Sequence, residues 1–266
     1  MRTTDYNRRI IYMNLYQPRI ELKDRAKDIL TGKYVTSILL LFMRGMFVMF
    51  LSNLALSLGR QFSGILARIL GTDSSLIITG AALLISLLAS ILTAVFNVGF
   101  TLFFLNLACN KPVNPFYLFY GFQQDFGKSF GISAVLVLVD TICLAPFDII
   151  TNHISQTHTL NAPWMPAMVI ALAIGFVVRI PLSLGLSQCY FLMLDFPNYS
   201  VTQILKLSFR VMKGHKKRLF LIELSFLPLM LINVFSWGIG GLWLTPYMNM
   251  VHTLFFLDLM NPKKEI

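Results

Sequence analysis

Six long apolar runs constrain this chain more than any other feature. They cover residues 34–58, 75–108, 130–150, 164–194, 218–236 and 239–260, and few charged residues interrupt them. A helix needs about 20 apolar residues to cross a hydrocarbon core of about 30 Å. With 56% hydrophobic and 13% charged residues, the chain is also far more apolar than soluble domains are. The sequence therefore predicts an all-α, polytopic transmembrane helical bundle of about six spans, forming a single integral membrane domain over residues 1–266.

The distribution of Lys and Arg predicts how these spans are oriented. Cytoplasmic loops of membrane proteins are enriched in basic residues. If both termini are cytoplasmic, 18 of the 22 Lys and Arg residues lie on the cytoplasmic side, and only Arg60 and Arg68 lie outside. The first apolar run begins near residue 34, which is too late for a cleaved signal peptide. We therefore expect a multi-pass protein of the plasma membrane with cytoplasmic N- and C-termini.

The net charge of +10 predicts a membrane surface as the partner and not a nucleic acid, because the basic residues flank apolar runs. The expected partners are the lipid bilayer, with anionic headgroups at its cytoplasmic face, and other membrane proteins. Residues 201–212 place apolar side chains on one helical face and cations on another, as a helix lying in the membrane interface does. The predicted lipid-facing basic residues are Lys206, Arg210, Lys213, Lys216, Lys217 and Arg218.

The chain also shows signs of an internal repeat. The second run ends Thr101-Leu-Phe-Phe-Leu-Asn-Leu107 and the sixth ends Thr253-Leu-Phe-Phe-Leu-Asp-Leu259, while Gly32, Gly127 and Gly214 precede the odd-numbered runs. These patterns predict three tandem units, 18–112, 113–197 and 198–262, each an interfacial helix, a Gly hinge and a two-span hairpin. The first interfacial helix belongs to the basic segment 1–33. The alternative is that aromatic residues gathering at membrane interfaces create the likeness.

Three charged residues fall near the middle of predicted spans, where an ion costs about 2.5–3.5 kcal/mol. Because Asp140 is the one carboxylate at that depth, we expect it to pair with Arg179 or with Arg44. Asn97 and Asn249 also lie at mid-depth, each four residues before the shared Thr. The candidate intramembrane polar cluster is therefore Arg44, Asn97, Asp140, Arg179 and Asn249. It forms either a hydrophilic cavity or a set of contacts that hold helices together.

Motifs that carry catalysis are missing from the sequence. There is no P-loop, GxGxxG, HExxH or GxSxG pattern, and Cys109, Cys143 and Cys189 form no CxxC pair. We therefore expect no catalytic, cofactor-binding or metal-binding residues and no enzyme activity. Three hypotheses stay open: a non-catalytic accessory, scaffold or immunity-type membrane component; a transporter or channel for a small amphiphile or ion; and, with least support, a lipid-modifying enzyme.

Several short stretches together resemble a known family. They are Ser208-Phe-Arg-Val-Met-Lys-Gly-His-Lys216, Glu223-Leu-Ser-Phe226, Trp237-Gly-Ile-Gly240, Leu242-Trp-Leu244 and Pro246-Tyr247, with Leu22-Lys-Asp-Arg-Ala-Lys27 and Leu118-Phe-Tyr-Gly-Phe122 earlier in the chain. In this order they resemble an uncharacterised family of Gram-positive bacterial membrane proteins, the domain of unknown function 975. The resemblance covers nearly the whole chain. It implies a multi-span bacterial membrane protein and carries no activity, substrate or catalytic residue.

Overall fold

A computed structural model of the protein describes residues 16–70, 75–157 and 164–261, and within these ranges the chain is helical and has no strand. Five segments are long and apolar enough to cross a membrane: Tyr34–Phe62, Leu83–Ala108, Phe126–Thr151, Pro166–Asp195 and Lys216–Phe235. Only 11–33% of the most apolar part of each segment is buried in protein, so most of its apolar surface is available to lipid. The predicted all-α membrane bundle is confirmed. Residues 1–15 of the predicted basic segment, Lys263 and Lys264 lie outside the described residues.

The described helices agree closely with the predicted runs. In chain order they are α1 (Arg19–Leu30), α2 (Tyr34–Leu70), α3 (Ser75–Ala108), α4 (Tyr120–Gln123), α5 (Phe126–Thr157), α6 (Trp164–Leu186), α7 (Cys189–Asp195), α8 (Val201–Val211), α9 (Lys216–Leu224), α10 (Leu227–Phe235) and α11 (Gly241–Met260). Helices α2 and α3 form one hairpin, α5 and α6 form a second, and α3 packs against α5 and α7. Helix α2 continues 12 residues past the predicted end at 58.

The sixth predicted run forms α11, a helix of 20 residues that does not reach the hydropathy of the five candidate spans. Its neighbours explain why. Helix α11 packs against α1, α2 and α3, and Met250, Val251 and Phe255 are fully buried. Protein rather than lipid surrounds much of this helix, so its sequence can include polar residues such as Asn249 and Asp258.

Helix α1 was expected to rest its apolar face on the membrane, and the structure corrects this. Leu22, Ala26 and Leu30 are fully buried, and the helix packs against α11. Helix α8 begins with a capping box in which Ser200 and Gln203 satisfy each other's backbone N–H groups. Ile204 on the apolar face of α8 is fully buried as well, so α1 and α8 both bury their apolar faces at least partly against protein.

Two of the three glycines predicted as hinges adopt a left-handed backbone conformation. Gly32 and Gly214 have φ of +76° and +90°, in the left-handed region that glycine adopts without steric cost. The prediction of Gly127 as a hinge is wrong. Helix α5 starts at Phe126, so the chain turns before Gly127, and Asp125 takes the left-handed conformation with φ of +49°. Asp is one of the few other residues that tolerate it.

Gly99 allows the link between the two hairpins to dock on α3. The link contains a 3-10 turn, Pro115–Phe119, and a Cβ atom at Gly99 would lie 2.0 Å from the carbonyl oxygen of Tyr117. Gly121 makes a similar approach, since its Cβ would lie 2.8 Å from the carbonyl oxygen of Val95. These contacts fix the link against α3 on either side of Asn97.

Candidate polar site within the membrane

Asp140 on α5 and Arg179 on α6 form an ion pair. Nε of Arg179 donates to Oδ1 of Asp140 at 2.6 Å, which confirms the first of the two pairings considered for this carboxylate. The side chains of Arg179 and Asp140 are 35% and 45% exposed. The pair therefore lies at the boundary between the protein and its surroundings and not in a closed core.

Close packing of α5 against α6 brings this pair together. A Cβ at Gly175 would lie 2.6 Å from the carbonyl oxygen of Cys143, so only glycine permits the two backbones to approach so closely. Asp140 precedes Cys143 by three residues and Arg179 follows Gly175 by four. Those spacings keep each charged residue on the same helical face as the contact. The crossing at Gly175 thus sets the distance between the two charges.

Arg44 on α2 has a different partner. Its Nη2 donates to Oδ1 of Asn97 on α3 at 2.7 Å, and its guanidinium lies 4.9 Å from the centre of the Phe100 ring. Within the described ranges, Nε of Arg44 is buried without a hydrogen-bond partner, and no carboxylate lies within 4.0 Å. The alternative in which Asp140 pairs with Arg44 is therefore wrong, and Arg44 keeps its charge uncompensated at short range.

Two residues that the sequence analysis missed extend this network. Tyr190 on α7 donates from its hydroxyl to the carbonyl oxygen of Ala94 at 3.3 Å. The hydroxyl of Ser133 on α5 lies 3.2 Å from the same Tyr190 oxygen. No sequence signal distinguished Tyr190, because tyrosine is expected at the end of any span. Helices α3, α5 and α7 are thus joined by polar contacts beside Asn97.

A cavity of about 230 Å³ lies among α3, α5, α6 and α7. Its polar lining residues are Asn97, Asp140, Ser183, Ser187 and Tyr190. A larger depression of about 490 Å³ is lined by residues 18–28 alone, on one exposed helix face that cannot enclose a ligand. The smaller cavity joins two members of the predicted cluster, Asn97 and Asp140.

The cavity lies near the middle of the candidate membrane spans. Asn97 is 11 residues from Ala108, where its span ends, and Asp140 is 14 residues from Phe126, where its span begins. At 1.5 Å per residue these are about 16 and 21 Å of helix, against a hydrocarbon core of about 30 Å. Polar groups at this depth are expensive unless water, protein or a ligand solvates them.

Asn249 lies apart from the cavity. Its Nδ2 donates to the carbonyl oxygen of Thr245 on the same helix at 2.8 Å. The hydroxyls of Thr101 and Thr253 donate to the carbonyl oxygens of Asn97 and Asn249 at 2.7 and 2.8 Å. The two asparagines thus share a local backbone pattern, but only Asn97 lines the cavity.

The predicted basic residues divide into two groups. Lys206, Arg210, Lys213 and Lys217 are exposed. Lys216 is partly buried, and its Nζ donates to the carbonyl oxygen of Pro181 on α6 at 3.0 Å. Arg218 does not lie on the exposed surface as predicted, because its side chain is only 18% exposed and is bound to a buried carboxylate. Four of the six residues can meet headgroups directly.

That carboxylate is Asp258 on α11, which is 4% exposed and lies 2.5 Å from Nη2 of Arg218. The backbone N–H of Gln17 donates to both oxygens of Asp258 at 3.2 and 3.3 Å, and Nη2 of Arg218 also donates to the carbonyl oxygen of Gln17 at 2.8 Å. A weaker contact, 3.6 Å long, joins Glu223 and His252 nearby in the same helix pair. The buried Arg218–Asp258 pair ties the N-terminal segment to the last helix.

No metal-binding group stands out in the part of the chain that the structure describes, where no three His, Cys, Asp or Glu side chains come together. Cys109 is exposed, and Cys143 and Cys189 are buried and free. The polar groups of the cavity instead supply hydrogen-bond donors, acceptors and charge, which suit binding of a polar or ionic group.

Comparison with known proteins gives one match. The family model described as "Protein of unknown function (DUF975)" matches residues 13–263, in agreement with the resemblance seen in the sequence. No curated protein matches the chain. No solved structure matches it either.

Proposed function

The chain belongs to the DUF975 family, and since this family has no assigned activity, we propose a function from the geometry of the chain itself. We propose that it is a non-catalytic membrane protein that takes the polar part of a small amphiphile, or an ion, into its mid-membrane cavity. Binding and transport are the activities that such a cavity serves. The single observation that carries this proposal is the cavity that joins Asn97 and Asp140 between α3, α5, α6 and α7.

The energy of the exposed ion pair supports a solvated cavity. Asp140 and Arg179 are 45% and 35% exposed, and their helices face lipid along most of their surface. An ion in hydrocarbon at this depth costs about 2.5–3.5 kcal/mol even on translocon scales. Water or a bound polar group in the adjoining cavity removes most of that cost.

A second candidate is an accessory or scaffold protein that acts through its basic surface. The exposed side chains of Lys206, Arg210, Lys213 and Lys217 favour it, because such clusters attract anionic headgroups at a membrane surface. The chain then works through its contacts with lipid and with other membrane proteins, and the polar cavity is incidental to function.

The location and internal organisation that we propose follow from the sequence. The protein lies in the plasma membrane with both termini in the cytoplasm, since this places 18 of 22 basic residues on the cytoplasmic side. It is built from three tandem units. The left-handed Gly32 and Gly214 and the matching hydrogen bonds of Thr101 and Thr253 support the repeat.

Cysteine accessibility tests the proposal. In a variant whose three native cysteines are replaced, single cysteines are placed at Ser183 and Ser187, which line the cavity, and at Ile174 and Val177, which are 58% and 71% exposed on the lipid side of α6. A charged, membrane-impermeant thiol reagent is then applied to protein in vesicles. We expect the two cavity cysteines to react and the two lipid-facing cysteines to stay unmodified.

The opposite pattern has a clear meaning. If none of the four cysteines reacts, the cavity is dry, the proposed function is wrong and the accessory role is favoured. Labelling of all four shows only that α6 is loosely packed in the vesicle, and it contradicts the proposal equally.

A further inference from the structure

The charges around the cavity point to the ligand that it takes. Asp140 is the charged residue among those that line the cavity. Two cations lie beside the lining, Arg179 bonded to Asp140 and Arg44 bonded to Asn97, so these three side chains together carry one positive charge in excess. Resting on the proposed function, we propose that the cavity binds a hydroxyl-bearing oxyanion headgroup of a membrane amphiphile, such as a glycerol phosphate ester.

Arg179 supplies the first donor set. Asp140 accepts from Nε of Arg179 only, and within the described ranges no residue accepts from its Nη1 or Nη2. The planar guanidinium fork therefore keeps terminal N–H groups free, and this fork matches the oxygens of a phosphate or carboxylate. Asp140 lines the cavity and acts as a positioning residue, because its bond to Nε fixes the plane of the Arg179 guanidinium directly beside the cavity.

Asn97 supplies the second donor, because Arg44 fixes the orientation of its amide group. Oδ1 of Asn97 accepts from Nη2 of Arg44, and the amide also has a hydrogen bond with the side chain of Tyr190. Because Nδ2 carries two N–H groups, one donor is left for a ligand in the cavity that Asn97 lines. The positive charge of Arg44 lies directly behind this amide and strengthens its interaction with an anion. An anionic ligand would thus be held between the amide of Asn97 and the fork of Arg179.

The serines of the cavity wall recognise a different part of the ligand. The hydroxyls of Ser183 and Ser187 donate to the carbonyl oxygens of Ile180 and Leu184, at 3.1 and 2.9 Å. The oxygen of Ser183 is therefore left as an acceptor, while that of Ser187 already accepts from Nε2 of Gln188 at 2.8 Å and keeps one lone pair. These acceptors suit hydroxyl groups of the ligand and not its oxyanion. A headgroup with an oxyanion beside hydroxyls satisfies both halves of the wall.

The volume of the cavity suits a lipid headgroup and not a whole lipid. Its volume of about 230 Å³ is below the range of about 300–1,000 Å³ that encloses a drug-sized molecule. Because Asp140, which lines the cavity, and its partner Arg179 are both partly exposed, the cavity is open at this pair, and a headgroup can enter there while its acyl chains stay in the bilayer.

Native mass spectrometry of the full chain tests the inference. The protein is released from nanodiscs that contain equal amounts of phosphatidylglycerol and phosphatidylcholine, and retained lipid is counted. We expect phosphatidylglycerol to be retained at least about tenfold over phosphatidylcholine, and Arg179→Gln to abolish that preference. Arg68→Gln, which removes an exposed cation near the end of α2, should keep it. Millimolar inorganic phosphate, added in a parallel arm, should not displace the lipid.

A further variant covers failure to fold. If Arg179→Gln leaves Asp140 unpaired and the protein aggregates, the double variant Asp140→Asn with Arg179→Gln removes both charges, and the same loss of preference is expected. Equal retention of the two lipids, or equal loss in Arg68→Gln, overturns the inference. Displacement by inorganic phosphate overturns the lipid as the source of the oxyanion.

A third arm separates this inference from the proposed function. Nanodiscs doped with dodecyltrimethylammonium offer a cationic amphiphile of similar headgroup size. Retention of this cation in preference to phosphatidylglycerol overturns the choice of an oxyanion and leaves a binding cavity in place. If no amphiphile is retained and the cavity cysteines are also unreactive, both proposals fail together.

Discussion

Replacing Asp258 with Asn should destabilise the protein strongly. The carboxylate is 4% exposed, and its partner Arg218 is 18% exposed, so this pair belongs with buried ion pairs and not with surface ones. Asn keeps the shape of Asp and one acceptor oxygen for the backbone N–H of Gln17. It removes the negative charge, and the guanidinium of Arg218 is then left buried without an ionic partner.

The magnitude follows from the burial of the two side chains. Removing one partner of a buried ion pair costs about 3–5 kcal/mol, because the other charge stays buried and uncompensated. An exposed pair contributes only about 0–1 kcal/mol. Lys27 and Asp24 form such a pair, with side chains 60% and 62% exposed. Asp24→Asn is therefore the matched control, since it makes the same chemical change on the surface of α1.

Unfolding by sodium dodecyl sulfate from mixed micelles measures the difference. We expect the free energy of unfolding to fall by about 3 kcal/mol or more in Asp258→Asn, and by less than about 1 kcal/mol in Asp24→Asn. A double variant, Asp258→Asn with Arg218→Met, removes the unpaired cation and should recover at least half of the loss. If the two single variants are equally stable, or if the double variant recovers nothing, the reasoning from burial is refuted.

Three further outcomes are expected. Gly99→Ala should displace the linking turn and lower the folded yield in detergent by more than Gly45→Ala does. A Cβ at Gly99 would lie 2.0 Å from the carbonyl oxygen of Tyr117, whereas a Cβ at Gly45 meets nothing within 4 Å. Burial and the nearby Arg218 lower the pKa of His215 below its ordinary 6.5. As the pH drops, the unfolded chain therefore binds a proton at this residue before the folded chain does. The melting temperature should fall as the pH drops through about 6.5, and it should fall by less in His215→Asn. Ser200→Ala removes the capping box of α8 and should lower the free energy of unfolding by about 1 kcal/mol in the same detergent titration.

The spans were predictable because their length is set by the bilayer. The run predicted at 75–108 coincides with α3, and the run at 164–194 corresponds to α6 with α7. The end of α2 was not predictable in this way. Residues 59–70 include charged and polar residues that lower the hydropathy, but the helix continues to Leu70 because backbone hydrogen bonding does not stop where hydrocarbon ends.

The polar site was predictable in part. With one carboxylate at mid-depth, the cost of an unpaired ion was enough to predict that Asp140 pairs with an Arg. Its choice of Arg179 over Arg44 depends on the crossing at Gly175, and a single sequence does not contain the register between helices. The contributions of Tyr190 and Ser133 were not predictable either, since neither residue differs in type from many others at span ends.

The packing of α11 against α1, α2 and α3 has a consequence for how the chain inserts into the membrane during synthesis. This helix is synthesised after α1 to α10, and its polar residues make it a poor segment to insert into lipid alone. Its packing surface is formed by α1, α2 and α3, which are synthesised earlier and must hold a partly open arrangement until the 20 residues of α11 arrive. Nascent chains that end before residue 241 should therefore expose that surface and be degraded by membrane quality-control proteases.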